Sequence, residues 1–378
     1  MFDYIISNAD IVDGTGADAY RGWVGIKGEE IAAMGKGPVP KPDAGKNLID
    51  AEGNVVSPGF IDIHSHGDIE LMTRPFCPDK VWQGVTTHTI GHCGVSPAPS
   101  SSAWKAFYTE ASLGEKGDGW NGESCNDFID FASKQSLGAN VAVFVGYAPI
   151  RMAVLGTSDK EPDRKELKKM MELLEEAMQA GCVGFTTGLA YPPQCQATTH
   201  ELTALCEVVA QYNRIYATHI RDILYDMPGG VREAIEIGRR SGVHVHVAHL
   251  QCRPNPDYRF QEIFDLFDAA RDEGIDITCD QYAYLAGQGP LTPLFPEWAL
   301  GGGSEAIAKR VSTAEERERI KTYMDEVVEN FFNWGDIIMW SIEDKALQGR
   351  SIRTLAHLWE KDPRSEERRV GKECATGC

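Results

Sequence analysis

Seven short, almost continuously apolar segments alternate with amphipathic segments along most of the chain, and this alternation limits the fold more than any other feature. A parallel strand that helices cover on both faces has such an apolar sequence. Repeated strand–helix units over this length favour an α/β fold of the (β/α)8 TIM-like barrel type over an open sheet. The predicted strands cover residues 60–63, 85–90, 141–145, 183–187, 215–218, 243–248 and 275–279. Amphipathic helices are predicted at residues 164–180, 201–212, 231–240 and 260–273.

The predicted barrel has flanking segments of a different character. Residues 1–58 read as short strands and turns, with a hairpin centred on Gly28, and are predicted to form the N-terminal part of a small β-sandwich domain. Residues 59–286 hold seven strands, so the barrel lacks its last strand. Residues 287–363 are predicted to be an insertion after strand seven. It contains a charged helix at 314–330, a strand-like run at 337–340 and a helix at 351–360.

The last residues, 364–378, fit no barrel element. The run 365–374 (SEERRVGKEC) is highly charged and resembles the in-frame translation of a sequencing-library adapter. A disordered charged tail is the alternative that the composition allows. We predict a non-native tail, a natural sequence that stops near Pro363 in this chain, and a gene that continues into the missing strand. The chain as written is therefore expected to be an inactive fragment.

The charge balance excludes several classes of partner. The chain has 56 acidic and 37 basic residues, a net charge of −19, and no basic stripe, which argues against nucleic acid and against an anionic membrane surface. Its apolar runs are too short to span a bilayer, and the N-terminus lacks the pattern of a signal peptide. The ten cysteines are scattered along the chain. We therefore predict reduced thiols and a cytoplasmic protein that acts on a small molecule.

Four of the predicted strands end in side chains that bind metals well. His64 and His66 follow strand one at a spacing that turns both side chains to the same side. Cys93 follows strand two, while His219 and His249 end strands five and six. Because barrel enzymes gather their active-site residues at the carboxyl ends of the strands, these five residues are predicted to form one metal site. Imidazole and thiolate ligands favour Zn²⁺ over Mg²⁺ or Ca²⁺.

Other polar residues near the strand ends leave alternatives open. Asp280, after strand seven, either binds the metal or orients one of its ligands. Asp68 either supports a ligating histidine or is a solvated loop residue. The remaining histidines are assigned to packing or to support of the ligands: His88, His92, His200, His244, His246 and His357. His357 lies in a late predicted helix and is expected on the surface.

The segments around the candidate ligands resemble the amidohydrolase superfamily. Residues 58–68 (PGFIDIHSHGD) are similar to the signature that opens the barrel in that superfamily. Five further motifs resemble its D-aminoacylase (N-acyl-D-amino-acid deacylase) branch, and the resemblance extends over residues 3 to about 363. These motifs are 84–87 (GVTT), 91–99 (GHCGVSPAP), 184–193 (GFTTGLAYPP), 218–221 (THIR) and 280–284 (DQYAY).

The resemblance implies zinc-dependent hydrolysis of a linear amide, namely an N-acyl-D-amino acid that yields a D-amino acid and a carboxylate. It implies that Cys93, His219 and His249 hold the tight zinc ion, and that His64 and His66 belong to a weaker position. Strand four has no lysine, so Cys93 takes the bridging place of the carboxylated lysine of related cyclic amidases. The aspartate that ends strand eight in the family, its acid and base, has no counterpart here, and no catalytic residue is assigned.

The chain departs from this branch where substrate binding is expected. Gln251 stands at the position of a lysine that pairs with the substrate's carboxylate, and Tyr147 replaces a histidine. Tyr282 opens Tyr-Ala-Tyr, where the family has Tyr-Pro-Tyr. A cyclic amidase or deaminase of the same superfamily, and a non-catalytic protein of this fold, remain alternative functions. The candidate substrate-binding residues, each of which can equally pack or lie on the surface, are Tyr191, Arg221, Gln251 and Tyr282, with Arg253 as a further partner for a carboxylate.

Overall fold

The computed structural model describes residues 1–40, 47–111, 120–223, 225–251, 260–328, 333–340 and 345–361. Contacts between Cα atoms divide the chain into two compact units. One unit comprises Met1–Ile61 with Trp82–Thr86, and the other Asp62–Val81 with Thr87–Cys378. The predicted tail at 364–378 and the candidate Arg253 lie outside the described residues.

A five-stranded mixed sheet forms the first unit. Its strands are β1 (Tyr4–Ile11), β2 (Tyr20–Lys27), β3 (Glu30–Lys36), β4 (Asn47–Asp50) and β5 (Val55–Val56). They lie in the order β3-β2-β1-β4, and β5 also pairs with β1. The predicted hairpin is confirmed: β2 and β3 are antiparallel, and Gly28 between them has a left-handed φ of 61°. The sequence prediction omits β4, because its four residues are exposed and carry no apolar alternation.

The second sheet has seven strands that neighbour one another in chain order, β12-β11-β10-β9-β8-β7-β6. Their bounds lie within two residues of the predicted ones, and the recorded pairings from β7 to β12 are parallel. A sheet of consecutive parallel strands with a helix after almost every strand has the topology of a (β/α) barrel. The strands are β6 (Phe60–Asp62), β7 (Val85–Ile90), β8 (Asn140–Gly146), β9 (Gly184–Gly188), β10 (Ile215–His219), β11 (His244–Val247) and β12 (Ile277–Cys279).

Capping side chains set the starts of the barrel helices. The Asp163 carboxylate accepts two backbone N–H groups in a capping box, so α6 has the bounds that its periodicity predicts. Two helices begin earlier than predicted, because the side chains of Thr198 and Asp226 cap them. The helices of the first half are α1 (Asp68–Thr73), α2 (Pro78–Val81), α3 (Ser102–Ala111), α4 (Cys125–Ser133), α5 (Tyr147–Leu155) and α6 (Arg164–Ala180). Those of the second half are α7 (Thr199–Gln211), α8 (Met227–Ser241), α9 (Phe260–Asp272), α10 (Gly303–Ser312), α11 (Ala314–Tyr323) and α12 (Ile352–Leu358).

The two largest apolar cores of the second unit are separate from each other. The larger one packs the strands against α4 to α9 through fully buried side chains such as Leu174, Phe185 and Val245. The smaller one joins α10, α11 and α12 and includes Ile320 and Leu355. The segment predicted as an insertion after strand seven therefore packs largely around a core of its own.

One prediction in this late segment is confirmed and another is wrong. The helix predicted at 314–330 begins at Ala314, runs to Tyr323 and continues as one wider helical turn, Met324–Val328, while residues 329 and 330 lie outside the described residues. The strand-like run at 337–340 is no strand, because only Ile338 finds a bridging partner, at Ser351. None of the helices in the described ranges combines the length and hydropathy that a membrane crossing requires.

Candidate metal centre

The candidate ligands lie where the strands of the second sheet end. Cys93 follows β7 by three residues, His219 is the last residue of β10, and His249 follows β11 by two residues. His64 and His66 follow β6 by two and four residues. The carboxyl ends of parallel strands face the same side of a barrel, so this placement follows from the topology.

Three of the five predicted ligands converge on one point. The Sγ atom of Cys93 lies 3.5 Å from Nε2 of His64 and 3.6 Å from Nε2 of His249. All three donor atoms fall within 4.8 Å of one another. Zinc in a tetrahedral site, with its usual bond lengths to sulfur and nitrogen, separates two such ligand atoms by roughly 3.5 Å. The spacing of these donors therefore fits a shared metal ion.

The other two predicted ligands adjoin this group without entering it. The ring of His219 meets that of His249 edge to face, with centroids 4.3 Å apart. The ring of His66 lies 5.6 Å from that of His64. The thiol of Cys93 therefore stands between one imidazole from each predicted metal position. The assignment of His66 and His219 as ligands stays a prediction.

Burial makes the centre unfavourable for a bare thiolate. Burial raises the pKa of the Cys93 thiol well above its usual range, and the carboxylates of Asp280 and Asp68 raise it further. Without a cation, the sulfur would stay protonated in this environment. A bound metal ion reverses this balance and holds the thiol as a thiolate. The donor set therefore suits a metal site better than a site for an anionic nucleophile.

The loop that carries Cys93 is held in a strained conformation. Cys93 has a φ of 51°, a left-handed value that is uncommon for residues other than glycine. The side-chain amide of Gln194 donates to the carbonyl of Cys93 (3.1 Å), and Thr186 Oγ1 accepts from the N–H of Gly94 (3.1 Å). Both supporting side chains are buried. Sequence reasoning missed both, because their role depends on contacts almost a hundred residues away along the chain.

Gly91 offers a direct test of this loop. A Cβ atom at Gly91, where φ is 84°, would lie 2.1 Å from the backbone oxygen of Phe144. We expect Gly91→Ala to displace the loop. It should lower the free energy of unfolding by roughly 1–3 kcal/mol more than the same substitution at a glycine with a positive φ elsewhere. Gly156→Ala is the matched control, because Gly156 also has a positive φ but no neighbour within 4 Å. Urea unfolding of both variants measures the difference, and equal losses would contradict the prediction.

Asp280 lies behind the ligands. Its Oδ2 atom accepts from His64 Nδ1 (2.9 Å) and His246 Nε2 (3.0 Å), and its Oδ1 accepts the backbone N–H of His249 (2.7 Å). Burial alone would raise the pKa of Asp280, but the hydrogen bonds from His246 and His64 outweigh it and hold the pKa well below its usual range. Of the two roles left open by the sequence, this geometry favours the orientation of ligands.

Asp68 and His92 are buried at the centre's edge. Asp68 is only 4% exposed, so the solvated-loop alternative for this residue is wrong. Burial raises its pKa to about 7, although the backbone N–H groups of Asp68 and Gly91 act in the opposite direction. The ring of His92 stacks on that of His64 at 4.4 Å, and its Nε2 lies 2.7 Å from Thr89 Oγ1. His92 therefore packs against a candidate ligand, as assigned from the sequence.

The other histidines match the sequence assignments with one exception. His88 is buried beside Ser65, and His246 is buried beside Asp280. His244 is partly buried and lies within hydrogen-bonding distance of Thr278. His357, which was predicted to lie on the surface, is exposed. His200 is exposed as well, so its assignment to packing or to support of the ligands is wrong.

The four candidate substrate residues occupy different environments. The Tyr191 hydroxyl lies 3.2 Å from Nδ1 of His219, beside the predicted ligands. A Cβ atom added at Gly287 would lie 2.7 Å from the Tyr282 hydroxyl and 4.0 Å from Gln251 Oε1, so both side chains flank this glycine. Arg221 is occupied elsewhere: its guanidinium bonds the Glu233 carboxylate and two backbone carbonyls. This geometry favours the packing interpretation of Arg221, and substrate binding by the other three stays a prediction.

No family model matches the chain, whereas individual proteins do. The D-aminoacylase of Alcaligenes xylosoxydans xylosoxydans is 33% identical over 287 residues, which are 76% of this chain and 58% of that protein. The chain thus spans under three fifths of the length of this curated relative.

Solved structures agree with the sequence comparison. The N-acyl-D-glutamate deacylase of Bordetella bronchiseptica, crystallised with zinc and a phosphonate that mimics the tetrahedral intermediate, superposes with a TM-score of 0.76 at 28% identity. The alignment covers 98% of this chain and 70% of that one. A D-aminoacylase crystal structure, described as defining a novel subset of amidohydrolases, gives a TM-score of 0.77 at 27% identity over 99% of this chain and 70% of that chain. The predicted barrel fold and resemblance are confirmed: the chain is a homologue of the D-aminoacylases and N-acyl-D-amino-acid deacylases of the amidohydrolase superfamily.

Proposed function

We propose that the protein is a zinc-dependent hydrolase that cleaves the amide bond of N-acyl-D-amino acids and releases a D-amino acid and a carboxylate. The observation that carries this proposal is the convergence of His64 Nε2 and His249 Nε2 on the sulfur of Cys93. The deacylases that the chain resembles in sequence and fold support the substrate class. The seven cysteines of the described residues are free thiols, which supports a place in the reducing cytoplasm.

Different residues of the centre would bind metal on the two sides of the Cys93 sulfur. Cys93, His219 and His249 would hold the zinc, while His64 and His66 would flank the other side of the sulfur. The Tyr191 hydroxyl bonds Nδ1 of His219, so Nε2 is the atom of that ring that would face the metal. A zinc ion held in this way supplies Lewis acidity, which activates water for attack on an amide carbonyl. No general acid or base is assigned among the described residues.

A panel of substrates tests the proposal on the zinc-loaded protein expressed from its native gene. We expect release of the amino acid from N-acetyl-D-amino acids and little release from the L-isomers. Ring opening of cyclic amides would indicate a cyclic amidase, and release of ammonia from nucleobases would indicate a deaminase. A protein that binds zinc and turns over none of these substrates would instead be a non-catalytic member of the fold.

Gln251 leads to a prediction about the substrate's carboxylate. An amide side chain can hydrogen-bond an acid or an amide, whereas a lysine favours the anion through a stronger, charge-assisted bond. We expect kcat/KM for N-acyl-D-amino acid amides to lie within about tenfold of that for the free acids. Gln251→Lys should shift the preference toward the free acids by about tenfold. High activity on free acids together with no measurable rate on the amides would exclude this role for Gln251.

A further inference from the structure

A row of polar side chains runs along β11 and β12 to the candidate metal centre. His244 and His246 alternate along β11, and Thr278 and Asp280 alternate along and just after β12, so each pair faces one side of the sheet. Thr278 Oγ1 lies 2.9 Å from His244 Nε2 and 2.8 Å from His246 Nδ1. His246 Nε2 then bonds Asp280 Oδ2 at 3.0 Å. The row ends at His64, whose Nδ1 lies 2.9 Å from the same oxygen.

The carboxylate of Asp280 fixes two of the converging ligands at once. Because a carboxylate only accepts, the Nδ1 atom of His64 must carry the proton, and Nε2 is left to face the sulfur of Cys93. The other oxygen holds the backbone N–H of His249, whose φ of 38° is left-handed. One side chain thus sets the ring orientation of one ligand and the backbone of another.

His246 in turn fixes the carboxylate. It is buried, with 9% of its surface exposed, and its two ring nitrogens are spent on Asp280 and Thr278. Without the bond from Nε2, Asp280 could rotate away from both ligands. His246 lies on the strand that leads to His249, at a position whose side chain points to the other side. For this reason His246 does not face the metal and instead lies beneath the Asp280 carboxylate.

We propose that Asp280 and His246 are positioning residues: together they orient His64 and His249 for metal binding, and neither binds the metal itself. The inference rests on the proposed metal centre and not on any particular substrate. The two oxygens of Asp280 already accept three hydrogen bonds. The carboxylate is therefore turned toward the side of the ligands that faces away from the metal position.

Metal affinity distinguishes a positioning residue from a ligand. We would load each variant with zinc and measure its dissociation constant by competition with a chromophoric chelator. We expect Asp280→Asn to weaken zinc binding by about 10–100-fold, which is the usual effect of losing a group that hydrogen-bonds to a metal ligand. The number of zinc ions bound per chain should stay the same. His246→Ala should weaken binding as well, and His246→Gln, which retains a donor, should restore part of it. His200→Gln, at an exposed histidine, should leave the affinity unchanged.

The cobalt form supplies a second readout. The sulfur-to-cobalt charge-transfer band reports the bond between Cys93 and the metal. We expect this band to persist in Asp280→Asn. If Asp280 were itself a ligand, Asp280→Asn should lose its metal as completely as Cys93→Ala does. Such a loss in properly folded Asp280→Asn, or unchanged affinity in both Asp280→Asn and His246→Ala, overturns the proposal. If the affinities follow our expectation but no acyl amino acid is hydrolysed, the proposed function fails and the positioning role stands.

Discussion

Replacing Cys93 with alanine should remove the tightly bound zinc. The Sγ atom lies within 3.6 Å of both converging imidazole nitrogens, so its loss would take a candidate ligand from each side of the centre. A structural zinc site supplies on the order of 10–16 kcal/mol from about four ligands, so one lost ligand weakens binding by roughly 10²–10³-fold. Equilibrium dialysis followed by elemental analysis measures the zinc that remains bound. His249→Ala should show a loss of the same order.

A second buried thiol provides the matched control for this experiment. Cys206 is fully buried in α7 and lies outside the converging group of donors. Cys206→Ala makes the same chemical change in the large apolar core and should leave one tight zinc per chain. Unchanged zinc content in both Cys93→Ala and His249→Ala would refute the assignment of the centre.

Removing the Glu201 carboxylate should cost the protein about 3–5 kcal/mol of stability, the largest loss that we expect from a single side chain. Glu201 forms an ion pair with Arg151 at 3.1 Å, and the two side chains are 2% and 0% exposed. The Tyr147 hydroxyl also donates to this carboxylate. Glu201→Ala would leave the Arg151 guanidinium buried without its counter-ion. Because burial of an unpaired charge is the main cost, the loss should greatly exceed that from breaking an exposed ion pair.

Two further variants test the cause of this loss in urea unfolding. The double variant Arg151→Met with Glu201→Leu removes both charges, and it should recover most of the stability that Glu201→Ala loses. Asp130→Ala breaks an exposed ion pair with Lys134 and should cost no more than about 1 kcal/mol. Similar losses of stability in Glu201→Ala and Asp130→Ala would show that burial of the Arg151–Glu201 ion pair does not determine the size of the loss.

The strands of the barrel could be predicted from the sequence because each is buried on both faces and therefore apolar along its length. The start of α8 could not be placed, because Asp226 extends the helix before its apolar pattern begins. The short β4, whose four residues are all exposed, carries no such pattern.

For the candidate centre, the donor residues could be predicted from the sequence and their surroundings could not. His64, Cys93 and His249 stand at strand ends, and the topology alone brings strand ends together. The pairing of Asp280 with His246 depends on the register between β11 and β12, which no local pattern reveals. Arg221 looked available for a substrate because its partner Glu233 lies on the helix that follows, at a geometry that only the folded chain defines.

Because the sulfur of Cys93 lies between two imidazoles, chemical damage to this one atom would affect both sides of the centre. Oxidation of Cys93 to a sulfinate is not reversed by ordinary thiols, and it would replace the soft donor shared by both sides with hard oxygen atoms. The protonated, buried thiol reacts slowly with oxidants, and a thiolate bound to metal is a weaker nucleophile than a free one because it donates charge to the cation. The centre is therefore most exposed to peroxide while metal is being loaded or exchanged. Its lifetime in a cell then depends on how quickly zinc is delivered relative to the local supply of oxidant.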